Sequence, residues 1–563
     1  MPTRYADSPR RKRTGCHNTP PRLAAFVAEA LVRAAADEPV PGTLRVLDPA
    51  VGHGELILAV AGALGDRPAE FHGFDTDAEA LRSARRRLGH HGHGRPISLR
   101  RRDFLSLAET PGTGDAQIRA GYDLVIANPP YVRTQVLGAA SSVDLARRFD
   151  LSGRVDLHHA FLEAISRVLR PGGWAGVIVP NRFLCVRAGA ALRRHLDERF
   201  TIHDIWDLGD TSLFEAAVLP AVVLLRRRDD TSRRPRTRFT SIYTTTSSAP
   251  ARQTGNAIDA VTRSPGVLRL DDGRRYRVRR GTLRRDDDAG VWRLSTPAAE
   301  RWLDTVSDHT HLTFGDLGPV RVGVKTTADP VFVRADWHDL PGGEPELLRP
   351  LISHHEAARY KAAAPAGPRR ILYPHEATPT GRRPVDLSGH PIARRYLEGH
   401  RARLEGRDYV RRAGRRWYEL WVPQDPAAWD RPKLVWPDIA LRPTFWVDRS
   451  GAVVHGDCYW LTPDRHPRRL LWLALAVGNS RFCQRYYDLR FHNRLYGGRR
   501  RFMTQYVTQL PLPDPDTPLS RRLADRARRL HRAPSPPTPS TEARLDRLVR
   551  EAFGLAPQDP AKL

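Results

Sequence analysis

The stretch LRVLDPAVGHGELI, residues 44–57, decides the fold. It begins with an apolar run of the kind that forms a buried strand, which ends at the acid Asp48 and is followed by Gly52 and Gly54. Glycines in such a turn let the backbone approach a ligand closely, and an acid can receive the ligand's polar groups. The glycine spacing falls short of the complete GxGxxG pattern of dinucleotide-binding proteins, which argues against NAD or FAD.

Strands and helices are predicted to alternate from residue 15 to residue 225. The candidate strands are LRVLDPA (44–50), EFHGFD (70–75), ISLRRRD (97–103), YDLVIAN (122–128), WAGVIVP (174–180) and AVVLLRR (221–227). The segments between them, such as LHHAFLEAISRVLR, carry apolar residues at helical spacing. This alternation predicts an α/β fold, a doubly wound Rossmann-like sheet with largely parallel strands.

Composition divides the chain into five segments. Residues 1–14 form a basic N-terminal segment, and residues 15–228 contain the alternating strands and helices. Residues 229–289, rich in Arg, Ser, Thr and Asp, are predicted to be a connector. Residues 290–515 are irregular and rich in aromatic side chains, which indicates a second domain of mixed α+β structure. Residues 516–563 are expected to form a helical tail that contains a Pro/Ser linker.

The net charge of +28 favours nucleic acid as a partner over a merely basic surface. Coding bias explains arginine in place of lysine, but it does not by itself create an excess of positive charge. The four cysteines show no metal or disulfide spacing, which is typical of a reducing cytoplasm. The N-terminus shows no signal peptide, and the apolar run LLWLALAV (470–477) is too short to span a bilayer. We therefore expect a cytoplasmic protein with no membrane partner.

Acidic residues end the next two predicted strands as well. Asp75 follows the second strand, where an acid commonly accepts hydrogen bonds from ribose hydroxyls, and Asp77 is placed to cap the next helix. Asp103 and Phe104 end the third strand, where an acid can accept from an exocyclic adenine amine and a ring can cover the adenine face. Asp103 alone would be a solvated strand end, but a series of acids at successive strand ends indicates a ligand site.

The fourth strand runs into Asn128-Pro129-Pro130-Tyr131. Two consecutive prolines cannot continue a strand or helix, so the strand must stop at Asn128. This leaves a side-chain amide, a backbone carbonyl and an aromatic ring together at the mouth of a buried strand. A lone tetrapeptide of this kind could be a turn, but here it follows the ordered series of acids.

Several motifs in order closely resemble the gamma-class N6-adenine DNA methyltransferases of restriction–modification systems, the TaqI-like group. The motifs are HNTPPRLAAFVAEAL (17–31), VLDPAVGHGELI (46–57), GFDTD (73–77), RDFL (102–105), VIANPPY (125–131), VDLHHAFLEAISRVLRPGGWAGVIVPNRFL (155–184) and LFEAAVLPAVVLL (213–225). Leu56 stands in place of a usual Phe, and Thr327 stands where the family usually shows Gly. A looser resemblance to the family's target-recognition domain covers residues 318–515.

The resemblance implies S-adenosyl-L-methionine as the methyl donor and assigns roles to individual residues. The implied cofactor-binding residues are Thr19, Asp48, Ala50, Gly52, Gly54, Asp75, Asp103, Phe104 and Asn128. The implied catalytic residues are Asn128, Pro129 and Tyr131, with Tyr131 and Phe214 stacking on the target base. No metal is implied. Phe214 by itself would more often be a core residue.

The expected function is therefore an adenine-specific, site-specific DNA methyltransferase. Its target base lies inside double-stranded DNA and must be flipped into the active site. The alternative is an RNA or protein-glutamine methyltransferase that uses the same NPPY chemistry, and a non-catalytic DNA-binding subunit is a further rival. The cofactor motif begins by residue 17, and no PD…ExK arrangement is present, so we expect any restriction endonuclease to be a separate protein.

Overall fold

The chain folds into two compact units. The computed structural model describes residues 18–36, 42–91, 94–108, 121–132, 138–151, 155–214, 219–229, 235–286, 291–364, 367–463 and 466–556. The basic segment 1–14 and the first residue of the HNTPP motif lie outside the described residues. Unit 1 comprises Met1–Pro297 and Phe491–Gly498, and unit 2 comprises Ala298–Arg490 and Arg499–Leu563.

Unit 1 is built on one large sheet flanked by helices. Its strands are β1 (Leu44–Asp48), β2 (Ala69–Asp75), β3 (Ile97–Arg101), β4 (Tyr122–Ala127), β5 (Leu169–Pro180), β6 (Phe200–Asp207), β7 (Pro220–Arg227), β8 (Arg238–Thr244), β9 (Ala251–Thr254), β10 (Gly266–Leu270), β11 (Arg275–Asp286) and β12 (Val291–Ser295). Its helices are α1 (Pro21–Ala36), α2 (Glu55–Ala63), α3 (Ala78–His91), α4 (Phe104–Leu107), α5 (Ala139–Arg148), α6 (Leu157–Val168), α7 (Ala190–Arg199) and α8 (Ala257–Thr262).

The strand order is β3-β2-β1-β4-β5-β7-β6-β8-β11-β10-β9, with β12 paired to β11. Strands β3, β2, β1, β4 and β5 are parallel neighbours, whereas β7 runs antiparallel to both β5 and β6. The order reverses direction beside β1, which is where open α/β sheets bind ligands. The predicted doubly wound α/β fold and its six predicted strands are confirmed, while β6 was not predicted.

Both faces of this sheet are covered by apolar side chains. Along β4, Leu124 and Ile126 join the cluster that includes α1 and α2, whereas Val125 and Ala127 join the cluster that includes α6. This follows from the two-residue period of a strand, which points successive side chains to opposite faces. A strand buried on both sides reads as a continuous apolar run, as LVIA does.

The structure differs from the expectation for residues 229–289. Strands β8 to β11 lie in this region, and β8 pairs in parallel with β6, so the region extends the main sheet rather than connecting two domains. Its strands carry buried Thr and Ser beside their apolar residues, such as Thr240 and Ser241 in β8. A composition rich in Thr and Ser resembles that of a polar linker, which is why a connector was expected. Thr is nevertheless a residue that favours β-strands.

Unit 2 combines short strands with helices. Its strands are Leu312–Thr313, Arg321–Val322, Val333–Arg334, Leu348–Ile352, Arg370–Leu372, His375–Thr378, Gly381–Pro384, Lys433–Pro437, Ile439–Ala440, Trp446–Asp448, Val453–Val454, Cys458–Leu461, Arg500–Arg501 and Pro511–Leu512. Its helices are Pro297–Asp308, Phe314–Leu317, Asp329–Phe332, Pro391–Gly399, Arg401–Glu405, Asp408–Arg412, Arg469–Gly478, Arg481–Phe491, Thr504–Val507, Pro518–Arg532 and Pro539–Ala552. The first residue of Pro297–Asp308 and the last residue of Arg481–Phe491 belong to unit 1.

The apolar run LLWLALAV lies in the helix Arg469–Gly478, where most of its side chains are buried in unit 2. The two helices after residue 515 are also part of this unit. Across the described residues, the helices are all too short or too polar to span a membrane.

Candidate active site

The carboxyl ends of the parallel strands form one edge of the sheet in unit 1. A cavity of about 220 Å³ lies there. It is lined by Asn18, Thr19, Ala50, Val51, Gly52, His53, Glu55, Leu56, Arg87 and Asn128. Four of the nine predicted cofactor residues therefore line this cavity, namely Thr19, Ala50, Gly52 and Asn128.

The turn after β1 is held by carboxylates at the ends of two strands. Asp48 Oδ1 accepts a hydrogen bond from the Ala50 amide at 3.0 Å, and Asp75 Oδ2 accepts from the Gly52 amide at 2.8 Å. Gly52 has φ 51°, in the left-handed region that favours glycine, and a Cβ at this position would meet no atom within 4 Å. Gly52 therefore presents open backbone to the cavity.

Gly54 serves a different purpose in the same turn. Its φ is 83°, and a Cβ there would approach Ala84 and Leu88 of α3 to 3.3 Å. The residue precedes α2 directly, so the glycine lets this helix begin close against α3. Gly54 does not itself line the cavity.

Asp48 is an unusual carboxyl group because it is 1% exposed and only partly satisfied. Its Oδ2 has no hydrogen-bond partner among the described residues. Burial raises the pKa of Asp48 to about 8, against the opposing effect of the Ala50 amide, and the nearby Asp75 charge raises it further. An orphaned acceptor of this kind fits a cationic or hydrogen-bond-donating ligand.

Asp75 and Asp77, at the end of β2, were predicted to have different roles, ribose binding and helix capping. The second oxygen of Asp75 accepts from the Asp77 amide at 2.8 Å, so each of its oxygens holds one backbone N–H and keeps lone-pair capacity for another donor. Asp77 Oδ1 accepts from the Glu79 and Ala80 amides at 2.8 and 3.3 Å, which confirms its predicted role as a cap of α3. Asp75 is half-buried, and its ribose role stays a prediction.

Asp103 and Phe104 are placed by the start of α4. Asp103 is exposed and caps this helix by accepting from the Leu105 amide at 3.1 Å. Phe104 is 1% exposed and packs against Phe74 and Phe161, with ring centroids 6.3 and 5.7 Å away. Phe104 thus lies in the core of the sheet's second face, and neither residue lines the cavity. Their contacts with the cofactor stay predictions.

Asn128 connects the cavity to the NPPY segment at the end of β4. Its Nδ2 donates to Thr19 Oγ1 at 3.0 Å, and its Oδ1 accepts from the Tyr131 phenol at 2.7 Å. Burial raises the pKa of the Tyr131 phenol, so this hydroxyl remains a donor. Thr19 lies just before α1, more than a hundred residues away in sequence, so only the folded sheet brings these three side chains together.

Two histidines stand beside Tyr131. His158 and His159 are only 5% and 6% exposed, because α6 packs this end against the sheet. The His158 ring meets the Tyr131 ring edge-on at 6.5 Å. Burial lowers the pKa of His158 well below its usual range and that of His159 to about 4, so both imidazoles are neutral at pH 7.

The same histidines form a group with Asp156. Each of the three side chains offers a potential ligand atom, and these atoms lie within 4.8 Å of one another. The described part of the chain therefore contains one set of side chains able to hold a metal ion. The expectation that no metal is required stays a prediction.

Phe214 is 7% exposed and belongs to the apolar cluster on the α1 face of the sheet. The next four residues of its motif, 215–218, lie outside the described residues. Phe214 sits in the connection between β6 and β7, both of which are anchored in the main sheet. Its stacking on a target base stays a prediction.

Several residues that line the cavity were not predicted from the strand ends. Arg87 projects from α3 and donates to Glu55 Oε2 at 2.5 Å and to the His53 carbonyl at 3.0 Å. These contacts join α3 to the start of α2, so no local sequence pattern predicts them. Asn18 also lines the cavity, and its position next to Thr19 was the one available signal.

Comparison with known proteins places this geometry among methyltransferases. The family model for Eco57I restriction-modification methylases matches residues 97–214. The type II methyltransferase M.BanIII of Aneurinibacillus aneurinilyticus is 36% identical over 550 residues, covering 92% of this chain and 93% of that protein. The type II methyltransferase M.PaeR7I of Pseudomonas aeruginosa is 27% identical over 520 residues, covering 86% and 84%.

Among solved structures, the DrdV–DNA complex matches with a TM-score of 0.57 at 11% identity, over 94% of this chain and 58% of that chain. At this identity the likeness shows the fold alone. Together with the relatives named above, the doubly wound sheet with its cavity at the carboxyl edge is that of a methyltransferase. With M.BanIII as a near full-length relative, the chain belongs to the type II methyltransferases of restriction–modification systems.

Proposed function

We propose that this chain is a gamma-class, site-specific DNA methyltransferase that modifies the N6 amine of adenine. The observation that carries the proposal is the position of Asn128, which lines the cofactor cavity and also contacts Tyr131 of the NPPY segment. A single side chain at this position can face both the methyl donor and the group to be methylated. The restriction–modification name of the matching family model and the type II methyltransferase names of the relatives support the same interpretation.

The cofactor site fits S-adenosylmethionine, which supplies the methyl group when bound. Gly52 offers open backbone, Asp48 offers an unpaired acceptor, and Asp75 keeps lone pairs for ribose hydroxyls. Thr19 and Ala50 line the same cavity as Asn128. Asp103 and Phe104 stand at the end of β3, where the proposal assigns them to the adenine of the cofactor.

Asn128 and Pro129 activate the target amine in the proposed reaction. Adenine N6 is a poor nucleophile because its lone pair is delocalised into the ring. When Asn128 Oδ1 and the Pro129 carbonyl accept its two N–H bonds, the nitrogen can pyramidalise and expose the lone pair. Oriented acceptors of this kind stabilise the charge that develops during attack, which is where fixed dipoles contribute most.

Tyr131 holds the target base, with Phe214 as the proposed second ring. A base inside duplex DNA must leave the stack before its amine can reach Asn128. Stacking on Tyr131 compensates for the lost base stacking and aligns the amine with the methyl group. The half-buried position of Tyr131, edge-on to His158, supports a fixed ring at this wall.

Unit 2 is proposed to recognise the DNA sequence. It contains most of the region with the looser recognition-domain resemblance, and the net charge of +28 of the whole chain suits a polyanionic duplex. The chemistry assigned to unit 1 needs no further catalytic domain. We propose that any restriction endonuclease is a separate protein and that the methyltransferase works in the cytoplasm.

Methyl transfer to defined nucleic acids tests the proposal directly. The purified chain and radiolabelled S-adenosylmethionine would be incubated with duplex DNA, RNA or cellular protein, and the methylated products would be digested and identified. We expect N6-methyladenine in duplex DNA, confined to one sequence motif when the DNA is mapped by single-molecule sequencing. Label in cytosine would contradict the adenine assignment, and label in RNA or glutamine would favour the alternative substrates.

A further inference from the structure

A second buried polar cluster lies in unit 1, outside the site described above. Asp207 ends β6, is 0% exposed, and accepts hydrogen bonds from Asn181 Nδ2 at 2.8 Å, the Tyr243 phenol at 2.6 Å and His492 Nε2 at 2.8 Å. Burial by itself raises the pKa of Asp207, but the three hydrogen bonds outweigh it and the net pKa is lowered. This carboxylate is therefore ionised and held by converging donors.

The fourth donor to Asp207 belongs to the connection that carries Phe214. The Gly209 amide donates to Asp207 Oδ1 at 3.2 Å, and a Cβ at Gly209 would come within 2.1 Å of the Ile242 carbonyl. Asn181 contacts the other end of this connection, because its backbone N–H donates to the Leu219 carbonyl at 2.8 Å. The cluster thus contacts the connection between β6 and β7 at Gly209 and at Leu219. We call its described residues 208–214 the base loop.

His492 reaches this cluster from a distant part of the chain. It belongs to the segment Phe491–Gly498, which we call the anchor segment and which is part of unit 1 although the chain on both sides of it belongs to unit 2. His492 has φ 48°, a conformation that costs free energy in a non-glycine residue. Its ring is packed against Phe239 and Tyr243, at centroid distances of 5.3 and 6.1 Å.

Other residues of the anchor segment are fixed to the same part of unit 1. Asn493 is 7% exposed, and its Oδ1 lies 4.0 Å from Cys185 Sγ. The Arg494 guanidinium stacks over the Tyr243 ring at 5.6 Å. A strained residue held by a hydrogen bond to a buried carboxylate and by neighbours on both sides is a defined docking contact rather than an incidental crossing of the chain.

We propose that His492 is a positioning residue, through which the anchor segment sets the base loop of unit 1 for the target base. The proposal rests on the proposed function, because it assigns the base loop a role at the flipped adenine. His492 is bonded to Asp207, and Asp207 is bonded in turn to Gly209 and Asn181, so His492 fixes the contacts that hold the base loop.

The test compares His492→Ala with His492→Gln, whose side-chain amide can donate to Asp207 in place of the imidazole. Duplex DNA with 2-aminopurine at the target position brightens when that base leaves the stack. For His492→Ala we expect kcat and the 2-aminopurine signal to fall about tenfold, as for loss of one charge-assisted hydrogen bond. S-adenosylmethionine affinity should stay within about threefold, because the described residues that line the cofactor cavity do not include any residue of this cluster. His492→Gln should recover most of both losses.

Arg238→Ala is the matched control. Arg238 pairs with Asp204 through two contacts of 2.7 Å and joins the same strands, β6 and β8, without touching the base loop. We expect this variant to keep the wild-type signal and kcat. If His492→Ala does not fold, Tyr243→Phe removes another donor to Asp207 and should give a smaller loss of the same two quantities.

The outcomes separate the two proposals. Wild-type kcat and 2-aminopurine signal in folded His492→Ala, or in Tyr243→Phe if His492→Ala is unfolded, would overturn the positioning role. A loss that Arg238→Ala shares equally would also overturn it, because the effect would then be one of general stability. Failure of the proposed function would instead appear in the wild type, as absence of adenine methylation.

Discussion

The phenol of Tyr131 donates a hydrogen bond to Asn128 Oδ1 at 2.7 Å, the oxygen that accepts from the adenine amine in the proposed reaction. The amine must therefore share this oxygen with the phenol or displace it. An amide oxygen has two lone pairs, so sharing is chemically allowed. The contact also holds the Asn128 amide in one orientation, with its Nδ2 on Thr19. Tyr131 thus has two separable contributions, its ring and its hydroxyl.

Substitutions at Tyr131 should separate these contributions. Tyr131→Ala removes the ring, and loss of stacking costs about 1–3 kcal/mol per base, so we expect a clear fall in kcat/KM and in the 2-aminopurine signal. Tyr131→Phe keeps the ring and loses one hydrogen bond, which is worth only about 0.5–1.5 kcal/mol. Equal losses from the two variants, measured on the cognate duplex, would show that the hydroxyl rather than the ring matters.

Asn128→Ala should abolish most methyl transfer. Loss of one oriented acceptor is expected to lower kcat by a factor of about 10²–10³. S-adenosylmethionine affinity should change little, because the side chain lines the cavity beside several other residues. Single-turnover kinetics with saturating cofactor and calorimetric titration measure the two effects separately. Near-normal turnover would remove Asn128 from the mechanism.

Cofactor affinity should depend on pH through Asp48. Because its pKa is about 8, the carboxyl is largely protonated at pH 7 in the free protein, and pairing with a cationic group of the cofactor requires ionisation. Affinity should therefore rise by up to about tenfold per pH unit from pH 6 and level off near pH 8. Calorimetry across this range measures it. Asp48→Asn should bind more weakly and lose the pH dependence.

Asp48→Asn is expected to lower cofactor affinity but to raise the stability of the cofactor-free protein at pH 8. The folded-state pKa of Asp48 lies above its usual value of 3.8, so the unfolded chain releases this proton first as the pH rises. Stability from this group is thus present at low pH and is lost progressively between about pH 4 and pH 8. Cofactor-free Asp48→Asn should therefore melt at a higher temperature than the wild type at pH 8. A lower Tm would contradict the raised pKa.

Asp75 and Asp77 form a matched pair for cofactor binding. Asp75→Ala removes the acceptor of the Gly52 amide and the proposed ribose contact, so we expect S-adenosylmethionine affinity to fall at least tenfold. Asp77→Ala removes only a helix cap, at a cost of about 1 kcal/mol in stability. Its cofactor affinity should remain near that of the wild type. Unchanged affinity in Asp75→Ala would leave this residue a structural role alone.

Phe214→Ala tests whether this ring stacks on the target base, as a base clamp, or only packs in the core. As a clamp, it should reduce the 2-aminopurine signal and kcat at temperatures where the variant is folded. As a core residue only, it should cost about 3–5 kcal/mol of stability and leave both quantities unchanged. Its burial at 7% exposure means that Tm must be measured alongside activity.

Local patterns in the sequence were enough to predict the first half of the sheet and the residues at its active edge. Apolar runs such as LVIA specify buried strands, and the prolines after Asn128 end β4 on chemical grounds. Because parallel strands share one carboxyl edge, Asp48, Asp75 and Asn128 had to meet there. These conclusions depend on local patterns and on one topological rule, so they could be reached without coordinates.

Only the tertiary structure decided the contacts that join distant parts of the chain. The strands within residues 229–289 could not be predicted, because their sequence is polar and their place in the sheet depends on the pairing of β8 with β6. Arg87 reached the cavity from a helix surface, and His492 met Asp207 across 285 positions of sequence. Nor could the sequence show that Asp48 is buried with one oxygen unpaired, because desolvation depends on every group packed around it. Such contacts arise from the packing of whole elements, which no short segment encodes.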